Sequence, residues 1–165
     1  MDQRFIYFWK TSEQPYGIFS QWAITPFTDP TTSITYNSTE QYMMHQKAVL
    51  FRDTTIADAI LAETDPREIK SLGAQVAGFS EDIWAANRLK IVTRGNALKF
   101  EQDAELKRVL LQSGNATIVE ASPYDRIWGI GFSERKATSN RDKWGLNLLG
   151  EALMDVRRQL LAQDT

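Results

Sequence analysis

Glu40 and Lys47 stand seven residues apart in the stretch Ser38-Thr-Glu-Gln-Tyr-Met-Met-His-Gln-Lys47. At 3.6 residues per turn, that spacing places a carboxylate and an amine on one helix face, two turns from each other. Asp125 supplies a further carboxylate in Glu120-Ala-Ser-Pro-Tyr-Asp-Arg-Ile-Trp-Gly-Ile-Gly131, where a strand runs into a turn flanked by Trp128 and Gly129. Arg88 follows Trp84 by one helical turn and Arg94 lies further along, so forked donors are available to a phosphate. Carboxylates, a lysine and aromatic faces suit cleavage of a C–N glycosidic bond. One carboxylate can stabilise cationic character at the anomeric carbon while another group handles the proton of the base or of the attacking water. A lysine also permits covalent imine chemistry.

Each residue has a bland reading beside the chemical one. Glu40 and Lys47 have the spacing of any surface acid and surface lysine on an amphipathic helix. Asp125 sits where an Asx-turn would close after Pro123. The five tryptophans, Trp9, Trp22, Trp84, Trp128 and Trp144, could converge on a flat base or sugar, but most large aromatics are core. The single histidine, His45, has no second His or Cys to complete a zinc site and is expected to be packed or solvated.

The absence of cysteine excludes disulfides, thiolate metal sites and a cysteine nucleophile, and is compatible with a reducing cytoplasm. There is no glycine-rich P-loop, no GxGxxG after a strand and no GxSxG elbow, so nucleotide hydrolysis, dinucleotide redox chemistry and serine hydrolysis lose their usual support. Neither a cofactor nor a metal is called for. Lys and Arg total 19 against 21 Asp and Glu, a formal net charge of -2, which gives no overall field to hold bulk nucleic acid. Phosphate must therefore be bound locally. The 165 residues, 42% hydrophobic and 24% charged, fit one globular domain spanning residues 1–165. No apolar run has the length of a signal peptide or a membrane span.

The elements that must position these residues are mainly helical. Residues 4–9 read as a strand, residues 22–25 as a second extended piece, and residues 26–37, with Asp29, Pro30 and scattered Thr and Ser, as a loop. Ser38 with Gln41 three residues later makes a capping box for a helix over residues 39–50. Helical spacing continues over residues 53–63, and Asp65-Pro66-Arg67-Glu68 opens another helix that Gly73 and Gly78 limit. Ser80, Glu81 and Asp82 begin a longer helix whose far end Gly95 leaves open. Residues 103–111 read as a helix, 116–120 as a strand, and 146–161 as an amphipathic helix burying Leu148, Leu149, Leu153 and Val156. Residues 122–144 are too long for a simple connection and read as a functional loop, carrying Arg135, Lys136, Arg141 and Lys143.

Taken together, Tyr16-Gly-Ile-Phe-Ser-Gln-Trp22, the Glu40 helix motif, Gly78-Phe-Ser-Glu-Asp-Ile-Trp84, Ala97-Leu-Lys-Phe100, the Asp125 segment and Trp144-Gly-Leu-Asn-Leu-Leu-Gly-Glu-Ala-Leu-Met154 resemble the NADAR, or YbiA-like, family in type and order. The resemblance covers nearly the whole chain. It implies a compact, mainly α domain of about six to seven helices with a few short strands. It also implies an N-glycosidase acting on ribosylaminopyrimidine phosphates of riboflavin synthesis or on ADP-ribosylated guanine in DNA or RNA. On that resemblance Glu40, Lys47, Trp84 and Asp125 match family positions, with Glu40, Lys47 and Asp125 expected to be catalytic; Ser20, Trp84, Arg88, Trp128 and Gly129 are expected to bind the substrate. Asp125 and Glu40 would position the substrate, move protons and stabilise the sugar cation, Trp84 would stack, and Lys47 would attack an opened sugar. Gln21-Trp22 and His45-Gln46 depart from common family residues, which leaves room for a different substrate shape. A non-catalytic module that binds ADP-ribose is the alternative.

Overall fold

The structure is a computed structural model that describes residues 3–164. In chain order its elements are β1 (Phe5–Phe8), a 3₁₀ turn (Tyr16–Phe19), β2 (Phe27–Asp29), β3 (Ile34–Tyr36), α1 (Thr39–Leu50), α2 (Thr54–Ala62), α3 (Pro66–Gly73), α4 (Glu81–Gln102), α5 (Ala104–Gln112), β4 (Thr117–Glu120), α6 (Glu134–Ala137), a second 3₁₀ turn (Thr138–Lys143) and α7 (Leu148–Gln163). The mainly α class is as expected. The chain divides into two compact units, Met1–Ser20 with Asp103–Thr165, and Gln21–Gln102.

The Gln21–Gln102 unit is organised around α1. Ser38 caps it by accepting from the Gln41 N–H at 3.1 Å, a contact that typically stabilises a helix by about 1 kcal/mol. The Gln41 side chain turns back as a capping box requires, but its oxygen accepts from the Asn37 N–H at 2.8 Å, one residue earlier than expected. Its amide nitrogen donates to the Ile60 and Glu63 carbonyls, tying α1 to the end of α2. Asp53 caps α2 through the Ile56 N–H and also accepts from the Ala77 N–H at 2.8 Å. These N–H donors, Ala77 first, hold its carboxyl below the usual aspartate range. Asp65 caps α3, with Pro66 in the first turn as the sequence suggests.

Residues 26–37 form a hairpin, not a featureless loop: β2 pairs antiparallel with β3, Phe27 opposite Tyr36 and Asp29 opposite Ile34. The turn-forming composition is real, but it occupies only the tip, where Asp29 accepts from the Thr31 N–H and Ser33 adopts a left-handed conformation, φ 63°. Residues 22–25 do not form a strand. The Gln21 carbonyl just before them accepts from the Glu40 N–H and the Thr39 hydroxyl, so this stretch anchors α1. Thr28 and Gln102 exchange two hydrogen bonds of 2.9 and 2.7 Å, docking β2 on the end of α4. Phe27, Tyr36, Tyr42 and Leu98 form the core beneath. His45 is buried there, its Nδ1 2.8 Å from the Tyr36 hydroxyl. Burial pushes the imidazole below its ordinary pKa and the phenol up to about 12.

α4 runs through Gly95 to Gln102. Glycine lowers helix propensity by about 1 kcal/mol, but here the missing Cβ is a packing notch: a methyl at Gly95 would meet the Tyr42 ring at 2.5 Å. Gly73 plays the same part for α3, where a Cβ would fall on the Met44 sulfur.

In the other unit β1 and β4 pair in parallel, Phe5 opposite Thr117 through Phe8 opposite Glu120. Val119, Ala121, Ile130 and Ala137 are buried with Phe5, Tyr7, Phe132 and Trp144 against them. α7 packs on β4 and buries Leu149, Leu153, Val156 and Leu160, while Leu148 is half-buried. Arg157 is inside, donating to the Ser113 hydroxyl at 2.7 Å and the Ala116 carbonyl at 2.9 Å. Residues 122–144 contain α6 and the second 3₁₀ turn, helical structure that the Gly, Ser and charge content of the segment did not announce. Among the described residues, no helix is long and apolar enough to cross a membrane.

Candidate active site

In the Gln21–Gln102 unit, Glu40 lies in the first turn of α1 and is 4% exposed, which excludes the reading of a solvated surface acid. A carboxylate there gains from the N–H groups at the helix start. Lys47 follows two turns later on the same helix, half-buried, with Nζ donating to the Gly73 carbonyl at 2.8 Å. Its ammonium lies 4.6 Å from the centroid of the Phe79 ring and 5.7 Å from that of Trp84. Burial pushes the Lys47 pKa below that of an ordinary lysine, while the charges of Glu81 and then Glu40 oppose the shift. Desolvation disfavours the ammonium, so a larger share of the neutral amine is present near neutral pH than a surface lysine would carry.

Trp84 is 7% exposed. One turn further, the Arg88 Nη1 stands 3.5 Å from a Glu81 oxygen. The Arg88 Nε is buried without a hydrogen-bond partner among the described residues, and an unsatisfied guanidinium donor of this kind is suited to an anionic oxygen. Lys47, Trp84, Glu81 and Arg88 are thus brought together, and Glu40 acts on Lys47 electrostatically.

Ser20, Asp125, Trp128 and Gly129 belong to the other unit. Asp125 closes the Asx-turn that its position suggested: one carboxylate oxygen accepts from the Ile127 and Trp128 N–H groups, each at 2.9 Å. The following loop is fixed by its own backbone. The carbonyls of Arg126, Ile127, Trp128, Gly129 and Ile130 accept in turn from the N–H groups of Leu146, Leu148, Leu149, Asn147 and Gly145. Leu148 and Leu149 open α7, so the loop satisfies N–H groups that a helix start leaves unpaired. Asn147, left-handed at φ 53°, holds β4 with its side chain by accepting from the Glu120 N–H and donating to the Ile118 carbonyl, both at 3.0 Å. At Gly129 a Cβ would meet the Glu120 carbonyl at 2.7 Å and the Asp125 carbonyl at 3.0 Å, so only glycine fits. Ser20 is buried at the end of the first 3₁₀ turn, its N–H donating to the Gly17 carbonyl at 3.1 Å.

The tryptophans take different positions. Trp144 packs edge-on against Phe5 and Tyr7 beneath the Arg141 guanidinium, while Trp9 packs against Tyr124. The residues that sequence reasoning passed over are the Gly73 carbonyl, Phe79 and Glu81, all facing Lys47. Phe79 and Glu81 lie inside a motif already singled out, and the signal in the sequence was an aromatic two residues before an acid at a helix start. Among the described residues, no three His, Cys, Asp or Glu side chains converge as metal ligands.

The NADAR domain model matches residues 7–161. The chain is 41% identical over 163 residues to N-glycosidase R617 of Acanthamoeba polyphaga mimivirus, covering 94% of this chain and 96% of that protein. It is 33% identical over 155 residues to N-glycosidase Npun_R5314 of Nostoc punctiforme, covering 94% and 92%. The solution structure of the E. coli protein YbiA superposes with a TM-score of 0.78 at 28% identity, covering 99% of this chain and 89% of that one. The relatives carry the name of hydrolases of N-glycosyl bonds, in keeping with the expectation of an enzyme. On the match across residues 7–161, the chain belongs to the NADAR domain family.

Proposed function

We propose that this N-glycosyl hydrolase cleaves the bond between a base-like amine and a phosphorylated ribose or ADP-ribose, with Lys47 as its nucleophile. The observation that carries the reading is the Lys47 niche: a half-buried amine held on the Gly73 carbonyl between aromatic rings, its ammonium form disfavoured by burial. In its ring-opened form a ribosylamine is an imine between the base nitrogen and C1. The neutral Lys47 amine adds its lone pair to C1, forming a C1–Nζ bond. A proton passes from Nζ to the base nitrogen, the C1–N bond to the base breaks, and the base leaves as a neutral amine. Water then adds to the Lys47 imine, releasing the sugar aldehyde and restoring the amine.

Glu40 is assigned to proton transfer and Asp125 to positioning the sugar and stabilising its cationic character. Trp84 is assigned to stacking, Arg88 to phosphate, and Ser20, Trp128 and Gly129 to substrate binding. The buried Nε of Arg88 supports the phosphate role. The substrate is a ribosylaminopyrimidine phosphate or ADP-ribosylated guanine in DNA or RNA, both joined through nitrogen to C1.

The test incubates the purified protein with each substrate in turn, follows sugar release by mass spectrometry, and traps with borohydride. Turnover and a trapped adduct are expected, both absent from Lys47→Ala. Turnover without an adduct removes the covalent step. Binding of ADP-ribose with no turnover of either substrate replaces the enzyme by a non-catalytic binding module.

A further inference from the structure

The start of α4 carries Glu81, Trp84 and Arg88 at positions i, i+3 and i+7, a spacing that puts all three on one helix face. Lys47 meets that face from α1, its ammonium 5.7 Å from the Trp84 centroid. All four residues belong to the Gln21–Gln102 unit. The Glu81 carboxylate serves both cations. One of its oxygens stands 3.5 Å from the Arg88 Nη1, and its charge is the foremost one favouring the Lys47 ammonium.

The Glu81–Arg88 pair is loose. A separation of 3.5 Å exceeds the ~2.7–2.9 Å of a charge-assisted hydrogen bond, so the carboxylate balances the guanidinium without docking on it. The Glu81 side chain is 65% exposed and that of Arg88 13%. Such a pair contributes little, because water screens the exposed charge and holding a long side chain in place costs entropy. The Arg88 Nε, in contrast, is buried and has no hydrogen-bond partner among the described residues. A donor in that state bears the cost of desolvation with no bond to offset it. A phosphoryl group offers what the carboxylate at its present distance does not: two oxygens that accept from Nε–H and an Nη–H together.

We propose that Glu81 is a resident stand-in for phosphate: it balances Arg88 in the free protein and is displaced when phosphoryl oxygens take the guanidinium. Glu81 is then a specificity-determining residue, because a sugar without phosphate has no charge with which to displace it. The displacing anion also replaces Glu81 as the counter-ion of this cluster, so the charge balance around Arg88 survives the exchange. Arg88 carries here the phosphate role of the proposed function, on which this reading rests, but occupancy of Arg88 is measurable without turnover. The opposite role for Glu81, a brace that holds Arg88 in place for its ligand, makes a prediction of opposite sign.

Nitrogen-15-labelled protein is titrated with methyl phosphate, a terminal phosphomonoester, and with P1,P2-dimethyl diphosphate, an internal diphosphate, and the arginine Nε–H signals are followed by NMR. Arg88→Lys identifies the Arg88 signal by its loss. At least one of the two ligands shifts that signal, and the one that does names the phosphate source. Glu81→Gln, at an exposed position, binds the same ligand about two- to fivefold more tightly, the scale of an exposed ion pair. Asp82→Asn removes an equal charge from the neighbouring position and changes affinity little. Weaker or unchanged binding in Glu81→Gln, equal tightening in Asp82→Asn, or no movement of the Arg88 signal with either ligand overturns the proposal. Tighter binding at Arg88 in Glu81→Gln with no sugar release from any substrate sustains it and retires the enzyme reading. Hydrolysis with the Arg88 signal unmoved does the reverse.

Discussion

At the scale of single residues, Lys47 and Asp125 make opposite demands on a mutagenesis experiment. Glu81 is the foremost charge favouring the Lys47 ammonium. Glu81→Gln removes that attraction, lowers the Lys47 pKa further and brings in the neutral amine at lower pH. The rising limb of kcat/KM against pH therefore moves to lower pH in the variant; a limb that stays put, or moves up, means that Lys47 is not the titrating group. Asp125 combines a turn with a chemical assignment, and two substitutions separate them. Asn keeps an oxygen for the Ile127 and Trp128 N–H groups, so Asp125→Asn retains wild-type stability while kcat falls about 10²- to 10⁴-fold. Asp125→Ala loses the turn as well and lowers unfolding free energy by about 1 kcal/mol, read from urea denaturation. Wild-type kcat in Asp125→Asn reduces the residue to its turn.

At the scale of elements, the caps were written in the sequence and the packing notches were not. Ser38, Asp53, Asp65 and Asp103 each cap the helix that follows, because a short polar side chain accepting a nearby N–H is a local interaction. Gly95 misled for a physical reason: propensity treats glycine as a terminator, and only the ring of Tyr42, 53 residues away in the chain, makes its missing Cβ useful. Gly95→Ala is expected to destabilise by about 1–3 kcal/mol through overpacking, against a gain of about 0.5–1 kcal/mol at an ordinary helical site. Urea denaturation gives the sign directly, and a more stable variant would mean that α1 and α4 do not meet there. The β2 and β3 hairpin escaped notice because three-residue strands carry too little alternation to stand out beside a Pro, Thr and Ser tip.

At the scale of the whole molecule, a net charge of -2 with basic residues gathered in one segment separates recognition of a modified base from attraction to a polyanion. Arg135, Lys136, Arg141 and Lys143 are all exposed, the Arg141 guanidinium 4.1 Å from the Trp144 centroid, but four cations in one segment do not outweigh the net negative charge. Unmodified single-stranded DNA is accordingly expected to show no mobility shift with the protein at about 0.15 M salt, where counterion release is weak. A strong shift would point to a general nucleic-acid binder.

The sequence by itself determined the helical class, the caps that open α1, α3 and α4, the order of the family's motifs and the common face of Glu40 and Lys47. These are legible because they depend on residues within a few positions of one another. The tertiary structure decided which face was buried and what each group meets there. It brought the Gly73 carbonyl and the rings of Phe79 and Trp84 to Lys47, and it spent one Asp125 oxygen on a turn. A lysine's ionisation and a carboxylate's remaining acceptor follow from burial and from partners distant in the chain, and neither is encoded in spacing.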